Sequence, residues 1–325
     1  MQPNGIVVLD KPEGLSSAQA VGRIKKLFGA RKAGHAGTLD PFATGVLVCM
    51  LNQATRLGRF LLAGEKTYEA VLHLGIETDT QDVTGHVIKQ QGLDNGIEDR
   101  LADTFQGFKG RIHQTPPVFS ALKHKGVPLY KLARQGRPVQ KPARPVHITA
   151  IDITAVALPE VHFKVTCSAG TYIRSLCAEI GRELGCGGHL GRLRRTHSSG
   201  FGIASALSLD ELKRRIANPE GGWPIISPAA ALPGMATGVA DKAAAGKINK
   251  GIPLTEDDLP APQPQPACNQ GSHDRHLVKI VDSREQLLAV VKHRPDEYGY
   301  QYCCVFPQAD AARRPEPQRA TDDPR

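Results

Sequence analysis

The chain has 325 residues, 40% of them hydrophobic, enough for one large domain with a sizeable core and a smaller second one. Lys and Arg number 41 against 32 Asp and Glu, and the net charge of +9 suits a polyanionic partner. No apolar run is long enough to cross a bilayer, no leader peptide is evident, and seven cysteines without Cys-x-x-Cys spacing read as reduced thiols. Together these argue against a membrane-spanning or disulfide-stapled secreted protein and predict a cytoplasmic one.

Gly5–Leu9 reads as a short buried strand, followed by a turn over Asp10-Lys11-Pro12-Glu13-Gly14. Ser16 or Ser17 can cap a helix with Val21, Ile24, Leu27 and Phe28 on one face and Arg23, Lys25 and Lys26 on the other. Residues 34–47, Gly-His-Ala-Gly-Thr-Leu-Asp-Pro-Phe-Ala-Thr-Gly-Val-Leu, form a glycine-rich loop entering a strand over Val46–Leu51. Pro41 pushes Asp40 toward extended geometry, so Asp40 is either an Asp-Pro turn residue or a presented nucleophile, base or charge anchor. Thr55 reads as the cap of a short helix over Arg56–Leu62, and 66–75 as an alternating strand carrying Tyr68. Thr78 to Gly85 is an acidic turn, read as capped rather than metal-binding because it lacks an EF-hand pattern. A short helix is expected over 98–105.

Between Gly107 and His147 stand nine Lys/Arg and no Asp or Glu, interleaved with Phe119, Leu122, Leu129, Tyr130 and Leu132. A charge run is ordinarily a solvated face, but basic residues with apolar anchors suit an RNA backbone. Strands follow over Val146–Ala157 and Val161–Cys167, then a helix to about Leu184 with Arg174 in its first turn. An Arg there is a surface ion pair or, beside a buried Asp, the group that keeps a carboxylate ionised.

Gly34-His35-Ala36-Gly37-Thr38-Leu39-Asp40-Pro41 resembles the signature of the TruB-type pseudouridine synthases. Asp10-Lys11-Pro12, Lys66-Thr67-Tyr68, Gln114 to Lys123, Gly170-Thr171-Tyr172-Ile173-Arg174 and Gly188 to Thr196 resemble further motifs of that family, extending the likeness over about two thirds of the chain. The resemblance implies an α+β pseudouridine-synthase fold: a mixed, largely antiparallel sheet flanked by helices and loops, plus a small C-terminal PUA-like β domain. It implies an isomerase that flips uridine 55 out of the TΨC arm of tRNA and converts it to pseudouridine, as a monomer and without cofactor or metal. Asp40 is then the nucleophile, Arg174 its ion-pair partner, and Tyr68 the residue stacked on the target base. His35 fills the space left by the flipped nucleotide, Tyr172 lines the pocket, Leu193 lies beneath the uracil, and Lys11 and Pro12 support the loop. The arginines beside Leu193 are expected to touch phosphate.

The expected domains are 1–235 catalytic, with an RNA-gripping insertion over 107–147 that orders at least in part on RNA; 236–306 PUA-like; and 307–325 a disordered tail. Helices are expected over Leu209–Ile216, Ile225–Leu232 and Val239–Gly246, an edge strand over Lys247–Leu254, a linker over 260–266, and strands near 276–281, 286–291 and 302–306. Cys268, His273, His276, Cys303 and Cys304 are zinc-ligand types, but their irregular spacing argues against a site. Two other readings stay open: a non-catalytic RNA-binding protein or tRNA-folding chaperone, and a synthase guided to ribosomal RNA.

Overall fold

A computed structural model describes residues 3–218, 222–259 and 276–307, which fall into two compact units divided at residues 234 and 235. The larger unit begins with strand β1 (Gly5–Lys11) and helix α1 (Ser17–Leu27). α1 starts at a capping box in which the Ser16 hydroxyl accepts the Gln19 amide; Ala20, Val21 and Ile24 are its buried stripe, and Lys25 and Lys26 suit the negative end of its dipole. Short β2 (Ala33–His35) and long β3 (Thr44–Leu51) bracket the glycine-rich loop.

Residues 52–57 then form a 3₁₀ turn that runs into α2 (Gly58–Ala63), so the helix expected over Arg56–Leu62 is present but begins two residues later. Thr55 does not cap it: its hydroxyl donates to the Asn52 carbonyl instead of accepting an amide. β4 (Lys66–Leu74) alternates as predicted, and a small hairpin, β5 (Ile76–Thr78) and β6 (Val87–Gln90), holds the acidic turn. α3 (Ile97–Gly107) packs Phe105 edge-to-face on Phe163, centroids 5.3 Å apart. The basic segment folds as β7 (Gly110–Gln114), a hairpin of β8 (Lys123–His124) and β9 (Val127–Pro128), and α4 (Leu129–Arg134).

Long β10 (Arg144–Ala157), β11 (Glu160–Cys167), α5 (Ile173–Glu183), β12 (Gly188–Ser198), β13 (Phe201–Gly202) and α6 (Leu209–Ala217) complete the unit. Ile225–Leu232 is not the expected helix. Pro228 interrupts it, and Ile226 exchanges both backbone hydrogen bonds with Ile6 of β1.

The main sheet runs β1-β3-β12-β4-β11-β10-β7, antiparallel except where β12 meets β3. β12 is thus an interior strand between β3 and β4, a place its glycines, arginines and two bulges against β4 conceal in the sequence. Two apolar clusters, one with α5 and α3 and one with α1, pack on this frame.

The smaller unit forms its own core around Ile280, Ala289 and Val291. Its strands are β14 (Ala236–Val239), β15 (Leu254–Thr255), β16 (Leu277–Val281), β17 (Leu287–Arg294) and β18 (Gly299–Val305), ordered β14-β16-β17-β18-β15. Its helix α7 (Lys242–Lys250) begins later than the expected Val239–Gly246, because Asp241 is the cap that accepts the Ala244 amide. It also replaces the first half of the expected strand over Lys247–Leu254 and stops at Gly251, which takes the left-handed conformation. The linker over 260–266, Cys268, His273 and the tail beyond 307 lie outside the described residues.

Candidate active site

The loop from Gly37 to Val46 is held at its backbone. Ser17 Oγ donates to the Leu39 carbonyl (3.0 Å) and accepts the Leu39 amide (2.8 Å). Lys11, fully buried, donates its Nζ to the carbonyls of Pro12 (2.8 Å), Leu15 (2.7 Å) and Pro41 (3.2 Å), and the Gly14 amide also reaches Pro41. Burial lowers the Lys11 pKa to about 8, with the charge of Asp40 opposing. The Ala43 amide donates to the Asp40 carbonyl, closing a turn that presents the Asp40 side chain. Gly45 has φ +102°, and a Cβ there would overlap the Arg195 carbonyl oxygen, so β12 approaches β3 this closely only because Gly45 lacks one.

Arg174, in the first turn of α5, pairs with Asp40 through both ends of its fork: Nε to Oδ2 at 2.9 Å and Nη2 to Oδ1 at 3.4 Å. Further donors go to the Thr80 carbonyl (3.0 Å) and the Phe119 carbonyl (2.9 Å). A planar fork held through four of its five N–H groups is locked in place.

A second carboxylate, missed from the sequence, completes the cluster. Asp82 Oδ2 lies 3.6 Å from Arg174 Nε, while Oδ1 accepts the Thr84 amide (2.9 Å) and the Thr80 hydroxyl (2.8 Å). The capped-turn reading of 78–85 describes that turn, but its buried carboxylate also faces the arginine. The local sequence could not show this, because Arg174 lies 92 positions downstream and reaches the turn only through the fold.

The sequence reading has the arginine lower the Asp40 pKa and keep the carboxylate ionised. Arg174 does act in that direction, but burial works against it and is the larger effect. Although a third of the side chain remains accessible, burial of the carboxyl pushes the Asp40 pKa up; Arg174 pulls it down, and the nearby charge of Asp82 pushes up again.

Tyr68, on β4, is buried with Leu39, Ala43 and Leu193 in one cluster beneath the loop. Burial raises its pKa, and the neighbouring Arg195 charge opposes. Tyr172 immediately precedes α5; Gln114 clamps its backbone, accepting its amide (2.7 Å) and donating to its carbonyl (3.0 Å), and Arg144 sits over its ring at 5.4 Å. His35, on β2, is half-buried; its Nδ1 is enclosed without a hydrogen-bond partner among the described residues, and burial lowers its pKa. Of the arginines around Leu193, Arg192 is exposed, Arg194 forks onto Asp10 (2.8 and 3.2 Å), and Arg195 departs from expectation because it is fully buried and cannot be a free phosphate contact. Among the described residues, no group of three or more His, Cys, Asp or Glu is placed to hold a metal ion.

A carboxylate on a braced loop, forked by a buried arginine above an apolar floor, defines a class when set on this sheet. The same fold occurs in the crystal structure of a Cbf5-Nop10-Gar1 complex (28% identical, TM-score 0.70, covering 94% of this chain and 84% of that one). It occurs again in an H/ACA RNP bound to a substrate RNA containing 2′-deoxyuridine (26%, TM-score 0.69, covering 93% and 84%). The profile of the TruB family pseudouridylate synthase N-terminal domain matches residues 25–173, and that of the tRNA pseudouridylate synthase B C-terminal domain matches 174–221. A tRNA pseudouridine synthase B of Geotalea uraniireducens is 44% identical over 255 residues, 78% of this chain and 82% of the relative. That of Pseudomonas aeruginosa is 45% identical over 219 residues, 67% and 71%. The chain belongs to the TruB family of pseudouridylate synthases.

Proposed function

We propose that this protein isomerises uridine 55 in the TΨC arm of tRNA to pseudouridine, with Asp40 as the nucleophile. The supporting observation is the Asp40 carboxylate itself, loop-borne, partly accessible and forked by buried Arg174. The target base must leave its stack, at about a few kcal/mol. The N1–C1′ bond then breaks, C5 joins C1′, the C5 hydrogen departs as a proton and N1 regains one. Nothing is oxidised or reduced, so Asp40 needs no redox partner. Leu193 supplies an apolar floor for the base, and water excluded there strengthens every charge on Asp40. Tyr68 stacks on the base, Tyr172 lines the pocket, and His35 takes the vacated place in the RNA, since a flat ring stacks on bases.

Relatives at 44–45% identity named for tRNA favour that substrate over a guided one, because the RNP structures stand at 26–28%. One chain carries the whole cluster of Asp40, Asp82, Arg174 and Tyr68, which favours action as a monomer. The basic segment 107–147 supplies backbone contacts to RNA, and the smaller β unit serves as a PUA-like RNA-binding domain.

The test is positional. An unmodified tRNA transcript incubated with the protein is mapped for pseudouridine by carbodiimide-dependent primer-extension stops. A stop at position 55, lost when that uridine is replaced by cytidine, is the expected result; stops elsewhere, or none, would contradict the substrate assignment.

A further inference from the structure

Arg195 is the largest side chain to be fully buried, and no carboxylate pairs with it among the described residues. It lies on β12, between the two strands that deliver the reacting groups. Its backbone is in register with Gly45 of β3 on one side and with Tyr68 of β4 on the other. Its fork bridges the two arms of the nucleophile loop: Nε donates to the Val46 carbonyl at 2.7 Å and Nη2 to the Gly37 carbonyl at 3.0 Å. Nη1 has no hydrogen-bond partner among the described residues, and the guanidinium carbon stands 6.0 Å from the centre of the Tyr68 ring. Lys11 and Lys66 are buried cations in the same region, and both feel its charge.

Burying an arginine unpaired is costly, so a position that only filled space would favour an apolar side chain. An arginine supplies what an apolar residue cannot: two parallel donors at fixed spacing. Gly37 and Val46 are the places where the chain enters and leaves the segment carrying Asp40, so a fork joining their carbonyls fixes the loop's width. The same group abuts the Tyr68 ring, which ties the loop to the stacking residue.

We infer that Arg195 is a positioning residue for this reaction, spacing the Asp40 loop against Tyr68 from beneath without touching RNA. The inference rests on the assignment of Asp40 and Tyr68 above. It replaces the phosphate-contact role read from the sequence.

The test measures tritium release from C5-labelled tRNA transcript by the full chain, Arg195→Met and Arg195→Lys. Each is preceded by a thermal melt, and kcat, KM and the pH profile are separated. Misplacing a reacting group by about 1 Å costs roughly 100-fold. The expected result is a kcat lower by about that factor in Arg195→Met, KM for tRNA within about threefold of the parent, and an unmoved acid limb. Arg195→Lys, which keeps the charge but loses the fork, is expected to recover only part of the loss. Parental kcat in either variant, or a raised KM alone, would overturn the inference. So would failure of both variants to fold, which would make Arg195 a folding residue only. No release by the parent chain would instead overturn the assigned function.

Discussion

At the residue scale three charges stand in one cluster, Asp40, Arg174 and Asp82. A nucleophilic carboxylate works only when ionised. Because burial raises the Asp40 pKa, activity is expected to rise with pH along a limb above the ordinary carboxylate range of about 4. Arg174 pulls that pKa down, so Arg174→Gln should move the limb to higher pH and lower kcat about 100-fold or more. Asp82 pushes it up, so Asp82→Asn should move the limb to lower pH. Single-turnover rates measured against pH check both signs, and limbs that stay in place would separate Asp40 from the titration. The pairing of Asp40 with Arg174 was legible because each sits in an ordered motif. Asp82 was not, since a carboxylate in a Thr/Asp turn looks like any capped turn until the fold brings the arginine to it. Arg195 was misread for a related reason: an arginine in sequence carries no mark of burial, and the basic stretch around it suggested a surface.

At the element scale, the loop between β2 and β3 shows how far a glycine pattern can be read. The motif holds Gly34, Gly37 and Gly45, yet only the last two have positive φ, and only at Gly45 does a backbone oxygen of the neighbouring strand occupy the place of a Cβ. Gly45→Ala should therefore cost about 1–3 kcal/mol in backbone strain, with the clash against Arg195 added, and should lower activity as β12 is forced away. Gly34→Ala should stay within about 0.5 kcal/mol, because its nearest neighbour is the flexible end of Met50 at 3.6 Å. Urea titrations of both variants check the contrast; equal losses would mean that the motif's glycines act alike. Deeper in the sheet, Phe105→Ala should cost about 3–5 kcal/mol by opening the α3–β11 contact. Alternating strands such as β4 and capped helices such as α1 were legible from side-chain period and caps. β12 was not, since its glycines and bulges break the alternation, and Ile225–Leu232 was misread because apolar content outweighed Pro228.

At the scale of the whole molecule, charge is distributed unevenly. The segment from Gly107 to His147 carries nine cations and no anion, and α1 leaves Arg23, Lys25 and Lys26 exposed. Binding of tRNA should accordingly weaken by about tenfold or more between 50 and 200 mM salt, and replacing Lys123, Lys125 and Lys131 by alanine should flatten that slope. Filter-binding titrations at several salt concentrations check this, and a slope unchanged by the triple substitution would place the RNA elsewhere. Composition and motif order announced the larger unit, its α+β character and its family. The smaller unit was legible as β-rich, with β16 expected to within a residue, but its helix was placed too early. Asp241 and Gly251 frame α7 by local capping that hydrophobic period alone does not reveal.

The most direct test is tritium release from a tRNA transcript labelled at uracil C5, comparing the parent chain with Asp40→Asn at equal RNA occupancy. The expected result is release by the parent and none above background by the variant, with binding retained. Release by both would mean that Asp40 is not the nucleophile; binding without release by either would contradict the assignment as a synthase.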